Sequence, residues 1–420
     1  MKKHCKKFIL PISLSIIILI SLIIVNYSDI NAQDLSSMVK SNNISSEKLP
    51  ETFLRSNTNF SITLFKNSVR QNTNTLISPV SVSLALGMTA NGAGGNTLSE
   101  FQKLWNSGKL TIDQLNKFNY TLASILQNDN TNKIRIANSI WYRNDKTLAV
   151  KPSFIQKNVD FYKAQIYKSD FNSKETVKDI NNWVKKNTDG MVDKMVETIN
   201  PNTIMYLFNT VLFNAEWDSI YKSNDVYDGI FSVSGGASVG VLYMQSQEKY
   251  LSGKSAEGFL KPYKGGKYSF IGILPKENIS LDEYVNALDD KSFSEFINSY
   301  REEYARISVP KFKYEYSISM VEPLKAMGLT DSFIPSRANF TNMASAMEEN
   351  IYIADVLHKS FIQFDEKGTK AGAATKVEMA CGAAMQEPKS IVFDRPFLFT
   401  IIENETQLPL FIGTVTHPKK

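Results

Sequence analysis

The side chains that could catalyse a reaction or bind a metal are few in this sequence of 420 residues. It has three histidines and two cysteines, Cys5 and Cys381. Nucleophilic catalysis by serine needs a histidine oriented as a general base, and neither His358 nor His417 adjoins a recognised catalytic motif. Two cysteines cannot supply a disulfide framework or a zinc site built from paired CxxC motifs. The sequence therefore argues against an enzyme, and it predicts no metal site and no cofactor.

One segment, residues 366–381, carries the most information, and its sequence is EKGTKAGAATKVEMAC. Successive side chains of a strand point to opposite faces. The face that carries the charges would contain Lys370, Lys376 and Glu378. The other face would carry small residues followed by apolar ones: Thr369, Ala371, Ala373, Thr375, Val377, Met379 and Cys381. The pattern predicts a half-buried strand.

The residues that follow this segment are typical of a loop. They read GAAMQEP from Gly382 to Pro388, and a proline interrupts the interior of a sheet. The chain therefore has strand patterning where an exposed loop is expected. Small side chains over residues 371–374 would let the segment enter between two strands without steric clash. An ordinary hairpin at a sheet edge is the alternative interpretation.

The N-terminus has the pattern of an export signal. Four lysines within the first seven residues precede an apolar run over residues 8–25, and polar sequence follows. We predict a signal peptide over residues 1–32, with cleavage after Ala32, and a secreted protein. An uncleaved membrane anchor through residues 8–25, with the chain facing outside, is the alternative. Residues 33–50 are rich in Ser and Asn and are expected to form a solvated polar tether.

The charge balance gives no support to nucleic-acid binding. The sequence has 47 basic and 42 acidic residues and a net charge of +5. Residues 1–32 hold four lysines and one aspartate, which leaves 43 basic and 41 acidic residues, or +2, in the remainder. No long block of like charges occurs in that remainder. We therefore predict no nucleic-acid partner.

Helical patterns come mostly early in the sequence. Ser78 is predicted to be the N-cap of a helix, and Pro79 its first residue, because serine and proline are both favoured at these positions. Thr97 and Glu100 have the spacing of a capping box. A further amphipathic helix is expected over residues 177–184.

Strand patterns come mostly later. Residues 204–213 are almost wholly apolar, which predicts a strand buried on both faces. Residues 311–316 alternate between charged and aromatic side chains, and residues 356–364 place His358 on the same face as the apolar side chains. The pattern over residues 397–415 predicts a β-hairpin as the last element of the sequence. The predicted helices lie mostly in the first part of the chain and the predicted strands mostly in the last part, which indicates an α+β fold. We expect a single domain over residues 51–420.

Seven segments, in order and spacing, resemble the serpin family. They are SPVS (78–81), INNWVKKNTDG (180–190), FNTVLFNAEW (208–217), VPKFKYEY (309–316), HKSFIQFDEKGTKAGAAT (358–375), RPFLF (395–399) and PLFIGTVTHP (409–418). The resemblance covers about residues 53–418. It implies three β-sheets, about nine helices and an exposed reactive-centre loop at about residues 367–390.

The resemblance also implies inhibition of a protease by a suicide-substrate mechanism. The target protease cleaves the loop and stays attached as an acyl-enzyme. The freed segment then inserts as a new strand into the central sheet and carries the protease away before the acyl bond is hydrolysed. The implied partner is a protease in a covalent complex, and the uncomplexed chain is expected to be a monomer.

The family positions correspond to three groups of residues here. The hinge of the loop corresponds to Gly368, Thr369, Ala371, Gly372, Ala373, Ala374 and Thr375. The shutter, a polar cluster where the sheet opens, corresponds to Ser78, Ser81, Asn209 and His358. The breach, where the loop first enters, corresponds to Trp217, Lys311 and Glu366. An ion pair between Lys311 and Glu366 is a hypothesis at this point.

The spacing usual in the family places the reactive bond between Gly382 and Ala383, with Ala384 and Met385 as alternatives. No Arg or Lys occurs between residues 378 and 388, so a trypsin-like target is not expected. The small or unbranched side chains favour an elastase-like or subtilisin-like serine protease. A papain-like cysteine protease is a further alternative.

A non-inhibitory serpin that acts as a carrier, chaperone or binding protein is the alternative function. Such members generally carry bulky, charged or proline residues in the hinge. Residues 369–375 contain one charged side chain, that of Lys370 on the outward face, and no proline. The hinge therefore favours inhibition.

Overall fold

The structure is a computed structural model that describes residues 30–105, 110–200, 203–300, 303–346, 350–369 and 389–418. Helices and strands are numbered here in chain order. The described residues form nine α-helices: α1 (Glu51–Ser68), α2 (Pro79–Ala90), α3 (Gly95–Leu104), α4 (Ile112–Gln127), α5 (Pro152–Tyr162), α6 (Lys174–Asn187), α7 (Leu281–Ala287), α8 (Asp290–Ile297) and α9 (Val321–Ala326).

The strands lie mainly in the second half of the chain. They are β1 (Gln33–Asp34), β2 (Thr75–Ile77), β3 (Lys133–Arg143), β4 (Leu148–Val150), β5 (Gln165–Ser169), β6 (Met205–Glu216), β7 (Val226–Ser232), β8 (Ser238–Ser252), β9 (Ala256–Pro262), β10 (Tyr268–Pro275), β11 (Tyr304–Pro310), β12 (Phe312–Ser319), β13 (Ala344–Ala346), β14 (Leu357–Phe364), β15 (Gly368–Thr369), β16 (Ser390–Val392), β17 (Phe397–Glu403) and β18 (Pro409–Val415). They form three sheets of seven, nine and two strands, so the predicted α+β fold is confirmed.

The nine-stranded sheet forms the centre of the core. Its order is β16-β11-β8-β9-β10-β17-β18-β2, and β7 pairs with β8. Every residue of β10, β17 and β18 is buried. The predicted closing hairpin is confirmed, since β17 and β18 pair antiparallel.

The seven-stranded sheet has the order β1-β5-β3-β6-β15-β14-β12. Its fifth strand, β15, has only two residues, Gly368 and Thr369. In β12 and β14 buried and more exposed residues alternate strictly, which confirms the predicted period of two. In β6 several side chains are only half-buried, so the prediction of a strand buried on both faces is wrong. Two of these residues, Leu207 and Val211, line small cavities between β6 and β14.

Helix α2 begins as its sequence predicts. The Ser78 side chain accepts a hydrogen bond from the Ser81 N–H, Pro79 occupies the first turn, and all residues of the helix are buried. Helix α3 differs from the prediction, because it begins at Gly95 and Thr97 is not its N-cap. The Glu100 carboxylate instead accepts the backbone N–H groups of Thr330 and Asp331, so a contact distant in sequence replaces the expected capping box.

Part of the predicted tether, residues 33–50, contacts the rest of the chain. Strand β1 pairs antiparallel with β5 at the edge of the seven-stranded sheet. Asn42 donates from its backbone N–H and its side-chain amide to the Asp160 carboxylate, at 2.7 and 2.8 Å. Just before this segment, the Asn31 N–H donates to the Asp179 carboxylate at 3.0 Å. Carboxylates on α5 and α6 therefore hold this segment against the rest of the chain.

Most of the predicted signal or anchor, residues 1–29, lies outside the described residues. Among the helices of the described ranges, none has both the length and the apolar character needed to cross a membrane.

Candidate functional site

The candidate site is the space between β6 and β14, which we call the slot. Among the described residues, β6 pairs only with β3 and β15, and β14 pairs only with β12 and β15. Strand β15 ends at Thr369, and from there a narrow cavity continues between the two strands, lined by Val211, Ser360 and Ile362. A second small cavity follows, next to Leu207 and His358. Beyond Thr369, β6 and β14 border each other without hydrogen-bonded pairing in the described part of the chain.

Strand β15 fixes the register of the entrance to the slot. Gly368 pairs with Glu216 and Thr369 with Ala215 on β6, while Thr369 pairs with Phe364 on β14. A Cβ atom at position 368 would overlap the carbonyl oxygen of Ala215, so glycine is required there by this close approach.

Thr369 faces the core, as the predicted alternation requires. Its side chain is buried, and its hydroxyl lies 2.6 Å from the hydroxyl of Tyr263. The Tyr263 ring in turn stacks on Trp217, with centroids 4.4 Å apart. Tyr263 was not among the residues predicted from the sequence, and no motif within its own segment distinguishes it.

The breach residues lie together at the entrance. Trp217 donates from its backbone N–H to the Lys367 carbonyl and from its indole Nε1–H to the Asp365 carbonyl, both at 2.9 Å. The hypothesised ion pair is present, because Lys311 Nζ lies 2.6 Å from Glu366 Oε1. Both side chains are about 30% exposed, at 29% and 32%.

The Lys311 ammonium group also sets the ionisation of Glu366. Partial burial, the largest single influence, would raise the pKa of the Glu366 carboxyl. The hydrogen bond and the positive charge of Lys311 act against burial, and the pKa lies below its usual value. Glu366 is therefore held in its charged form beside the entrance.

The shutter residues also lie together, at the first turn of α2. His358 Nε2 accepts a hydrogen bond from the Ser78 N–H at 3.1 Å, and the Ser360 hydroxyl lies 2.6 Å from the same nitrogen. Ser81 donates from its hydroxyl to the Asn209 side-chain carbonyl. One helical turn therefore contacts both β14 and β6, the two strands that border the slot.

His358 is neutral in this arrangement. Burial lowers the pKa of its imidazole to about 4. Because Nε2 accepts the backbone hydrogen bond, the ring proton lies on Nδ1. A buried neutral histidine that acts as an acceptor is a structural contact, and the Ser360 hydroxyl beside it is itself buried away from solvent.

The sequence analysis missed two members of the polar cluster. Asn138 on β3 accepts a hydrogen bond from the Asn209 side-chain amide, and Ser360 contacts His358. Ser360 lies two residues from His358 in a strand, so the period of two could have identified it. Asn138 lies on a strand whose pairing with β6 the sequence does not reveal.

The remaining predicted loop residues cannot be placed. Hinge residues 371–375 and the predicted reactive bond at Gly382–Ala383, with its alternatives Ala384 and Met385, lie outside the described residues. Within the described ranges, no group of three or more His, Cys, Asp or Glu side chains is arranged to hold a metal ion. The geometry of the site thus offers a strand position bordered by polar contacts.

Residues 55–418 match a family model described as Serpin (serine protease inhibitor). The solved structure of the thermophilic serpin tengpin in its native state is 43% identical, with a TM-score of 0.87, over 92% of this chain and 99% of that one. An uncharacterised serpin-like protein of Thermococcus kodakarensis is 31% identical over 86% of this chain and 84% of its own length. Human antithrombin-III is 28% identical over 89% of this chain and 85% of its own length.

Proposed function

This chain belongs to the serpin family, and from that premise we propose that it is an inhibitory serpin, which traps a protease by inserting its cleaved loop into the slot. The observation that carries the proposal is the interrupted pairing between β6 and β14, with Gly368 and Thr369 already seated at its entrance.

The register of β15 indicates how the rest of the loop would fit. Continued without a bulge, the pairing of Thr369 with Ala215 and with Phe364 would bring Thr375 between Asn209 and His358. Residues with the parity of Thr369 would face the core. The small side chains at 371 and 373 would then enter the first cavity, and Val377 would lie opposite Leu207.

Insertion would bury apolar surface that the slot leaves partly open. Leu207 and Val211 on β6 are half-buried and border the two cavities. Complete burial of Val377 or Met379 would contribute roughly 1.5–3 kcal/mol each, and every new ladder hydrogen bond roughly 0.5–1.5 kcal/mol. These gains act against an ordering cost of about 1–2 kcal/mol per residue, so insertion also draws on relief of strain in the resting sheet.

The proposed inhibition is a race between insertion and hydrolysis. The nucleophile of the protease attacks the carbonyl carbon of Gly382, the peptide bond to Ala383 breaks, and the new amino terminus leaves. Water can hydrolyse the resulting acyl bond, so insertion must finish first. A hinge of small side chains shortens the time that insertion needs.

The loop sequence supports an elastase-like or subtilisin-like serine protease as the target, with a papain-like cysteine protease as the alternative. We further propose that the chain is exported and is a monomer before it meets the protease. The support for export is the lysine-rich, apolar N-terminus.

The test is incubation of the full chain with proteases of these three classes, followed by a denaturing gel and mass spectrometry. We expect an adduct that survives denaturation and a cleaved bond within residues 382–385. Cleavage by every protease without an adduct, and without a gain in thermal stability, would favour the carrier or chaperone function instead.

A matched pair of variants separates insertion from loop recognition. Thr375→Arg places a charged side chain on the core-facing parity, between Asn209 and His358, and we expect it to convert the inhibitor into a substrate. Ala374→Arg places the same side chain on the outward parity, and we expect most of the adduct to remain. Equal loss of the adduct in both variants would contradict the proposed register.

A further inference from the structure

A buried ion pair lies directly behind the breach. Lys261 on β9 lies opposite Glu248 on β8, next to the paired residues Lys249 and Leu260, and its Nζ is 2.5 Å from Glu248 Oε1. The two side chains are only 2% and 8% exposed. No other lysine or arginine in the described parts of the chain is buried. A buried charge is costly even when paired, so this pair requires an explanation.

The Lys261 ammonium group faces two aromatic rings. It lies 4.3 Å from the ring centroid of Tyr221 and 5.5 Å from that of Trp217, both within the range of a cation–π interaction. Ser246 donates from its hydroxyl to the Glu248 carboxylate at 2.6 Å, which orients that carboxylate. The charge of Lys261 is therefore held in a fixed position against both rings.

The same two aromatic residues hold the backbone that leads into the slot. Trp217 donates to the carbonyls of Asp365 and Lys367, and the Tyr221 N–H donates to the carbonyl of Glu366 at 3.0 Å. Three consecutive carbonyls before Gly368 thus depend on the placement of Trp217 and Tyr221. We call these three hydrogen bonds the hinge clamp.

We propose that Lys261 is a positioning residue for loop insertion, because its ammonium group, held by Glu248, fixes the rings of Trp217 and Tyr221, the two residues whose N–H groups form the hinge clamp. Packing alone does not explain the pair, since two apolar side chains of the same size would fill the space without the cost of burying charge. The interaction that only a cation supplies here is the one with the rings. The consequence for inhibition rests on the function proposed above.

The test compares the double variant Lys261→Met/Glu248→Gln with the wild type. The double variant removes both charges and leaves no buried charge unpaired. We expect the Trp217 and Tyr221 amides to exchange hydrogen about tenfold faster, which corresponds to loss of about 1.4 kcal/mol at a desolvated cation–π site. We also expect a smaller share of adduct relative to cleaved inhibitor.

The matched control is Lys264→Met, at an exposed lysine whose Nζ lies 3.6 Å from Glu216 at the same entrance. This control should change neither quantity. A folded double variant with wild-type amide exchange and a wild-type share of adduct would overturn the proposal.

Should the double variant fail to fold, Tyr221→Leu tests the same contact from the side of the ring while leaving the ion pair in place. We expect faster exchange at residue 221, and unchanged exchange would overturn the proposal. The exchange measurement does not depend on inhibition. A wild type that forms no adduct with any protease would contradict the proposed function, while faster exchange in the variants would still support the positioning role.

Discussion

The two large sheets of this protein differ in their continuity. In the nine-stranded sheet, β10, β17 and β18 are wholly buried, and the Phe270 ring lies 4.6 Å from Phe364 and 5.4 Å from Phe399. In the seven-stranded sheet, β6 and β14 are joined only through the two residues of β15, small cavities lie between them, and Leu207 is only partly buried. One sheet is a filled core, and the pairing of the other is interrupted.

The difference indicates a division of roles. A filled aromatic core resists rearrangement, because any shift opens voids and loses contacts. An interrupted sheet whose borders are held by a few polar contacts can accept a strand at a smaller cost. The nine-stranded sheet would then provide the rigid support against which the seven-stranded sheet opens.

The largest expected effect is in the filled sheet. Phe270→Ala should lower the free energy of unfolding by about 3–5 kcal/mol, because it opens a cavity among tightly packed rings. Leu207→Ala, beside the slot, should lower it by roughly 1–2 kcal/mol, since that side chain is only partly buried. Chemical denaturation of the two variants measures both values. Equal losses in the free energy of unfolding in the two variants would contradict the proposed difference between the sheets.

A second prediction concerns the pH dependence of the shutter. The pKa of His358 is about 4 in the folded chain, below its usual value near 6.5, so the unfolded chain binds the additional proton between these values. Stability should therefore fall by roughly 3 kcal/mol as the pH drops from 6.5 to 4, and this contribution should level off below 4.

The measurement is denaturation across this pH range in the wild type and in His358→Gln. Other carboxylates titrate in the same range, so the difference between the two proteins isolates the histidine. Parallel curves would show that His358 does not titrate as proposed.

The smallest expected effect is at the Lys311–Glu366 ion pair. Lys311→Met should lower stability by only about 0–1 kcal/mol, because both side chains are partly exposed to water. The folded pKa of Glu366 is depressed, so the contribution is present at neutral pH and is lost as the pH falls through that lowered pKa. The exposed Lys313, two residues further along in β12, supplies the control variant, Lys313→Met. A cost well above that of the control would indicate a stronger role for the pair at the entrance.

The sequence predicted those features that depend on local pattern. The alternation in β12 and β14, the start of α2 at Ser78 and the α+β class follow from periodicity and capping, and the structure confirms them. The resemblance named the residues that the structure brings together at the breach and the shutter. Family motifs were needed to identify these residues, because the pairing of β6 with β3 cannot be deduced from the sequence of either strand alone.

The features that the sequence analysis missed depend on contacts distant in the chain. Residues 33–50 look like a tether because their partners, such as Asp160, lie far along the sequence. Lys261 looks like a surface lysine until the register of β8 and β9 places Glu248 opposite it. Thr97 has the spacing of a capping residue, but its hydroxyl accepts the Asn339 N–H instead.

The central claim is that the slot is the destination of the loop. The most direct test is the thermal midpoint of the chain after a single cut within residues 382–385, compared with that of the intact chain. The account predicts a cut chain that melts well above the intact one, with its amides over residues 371–379 protected from hydrogen exchange. A cut chain that melts at or below the intact midpoint, with those amides unprotected, would contradict it.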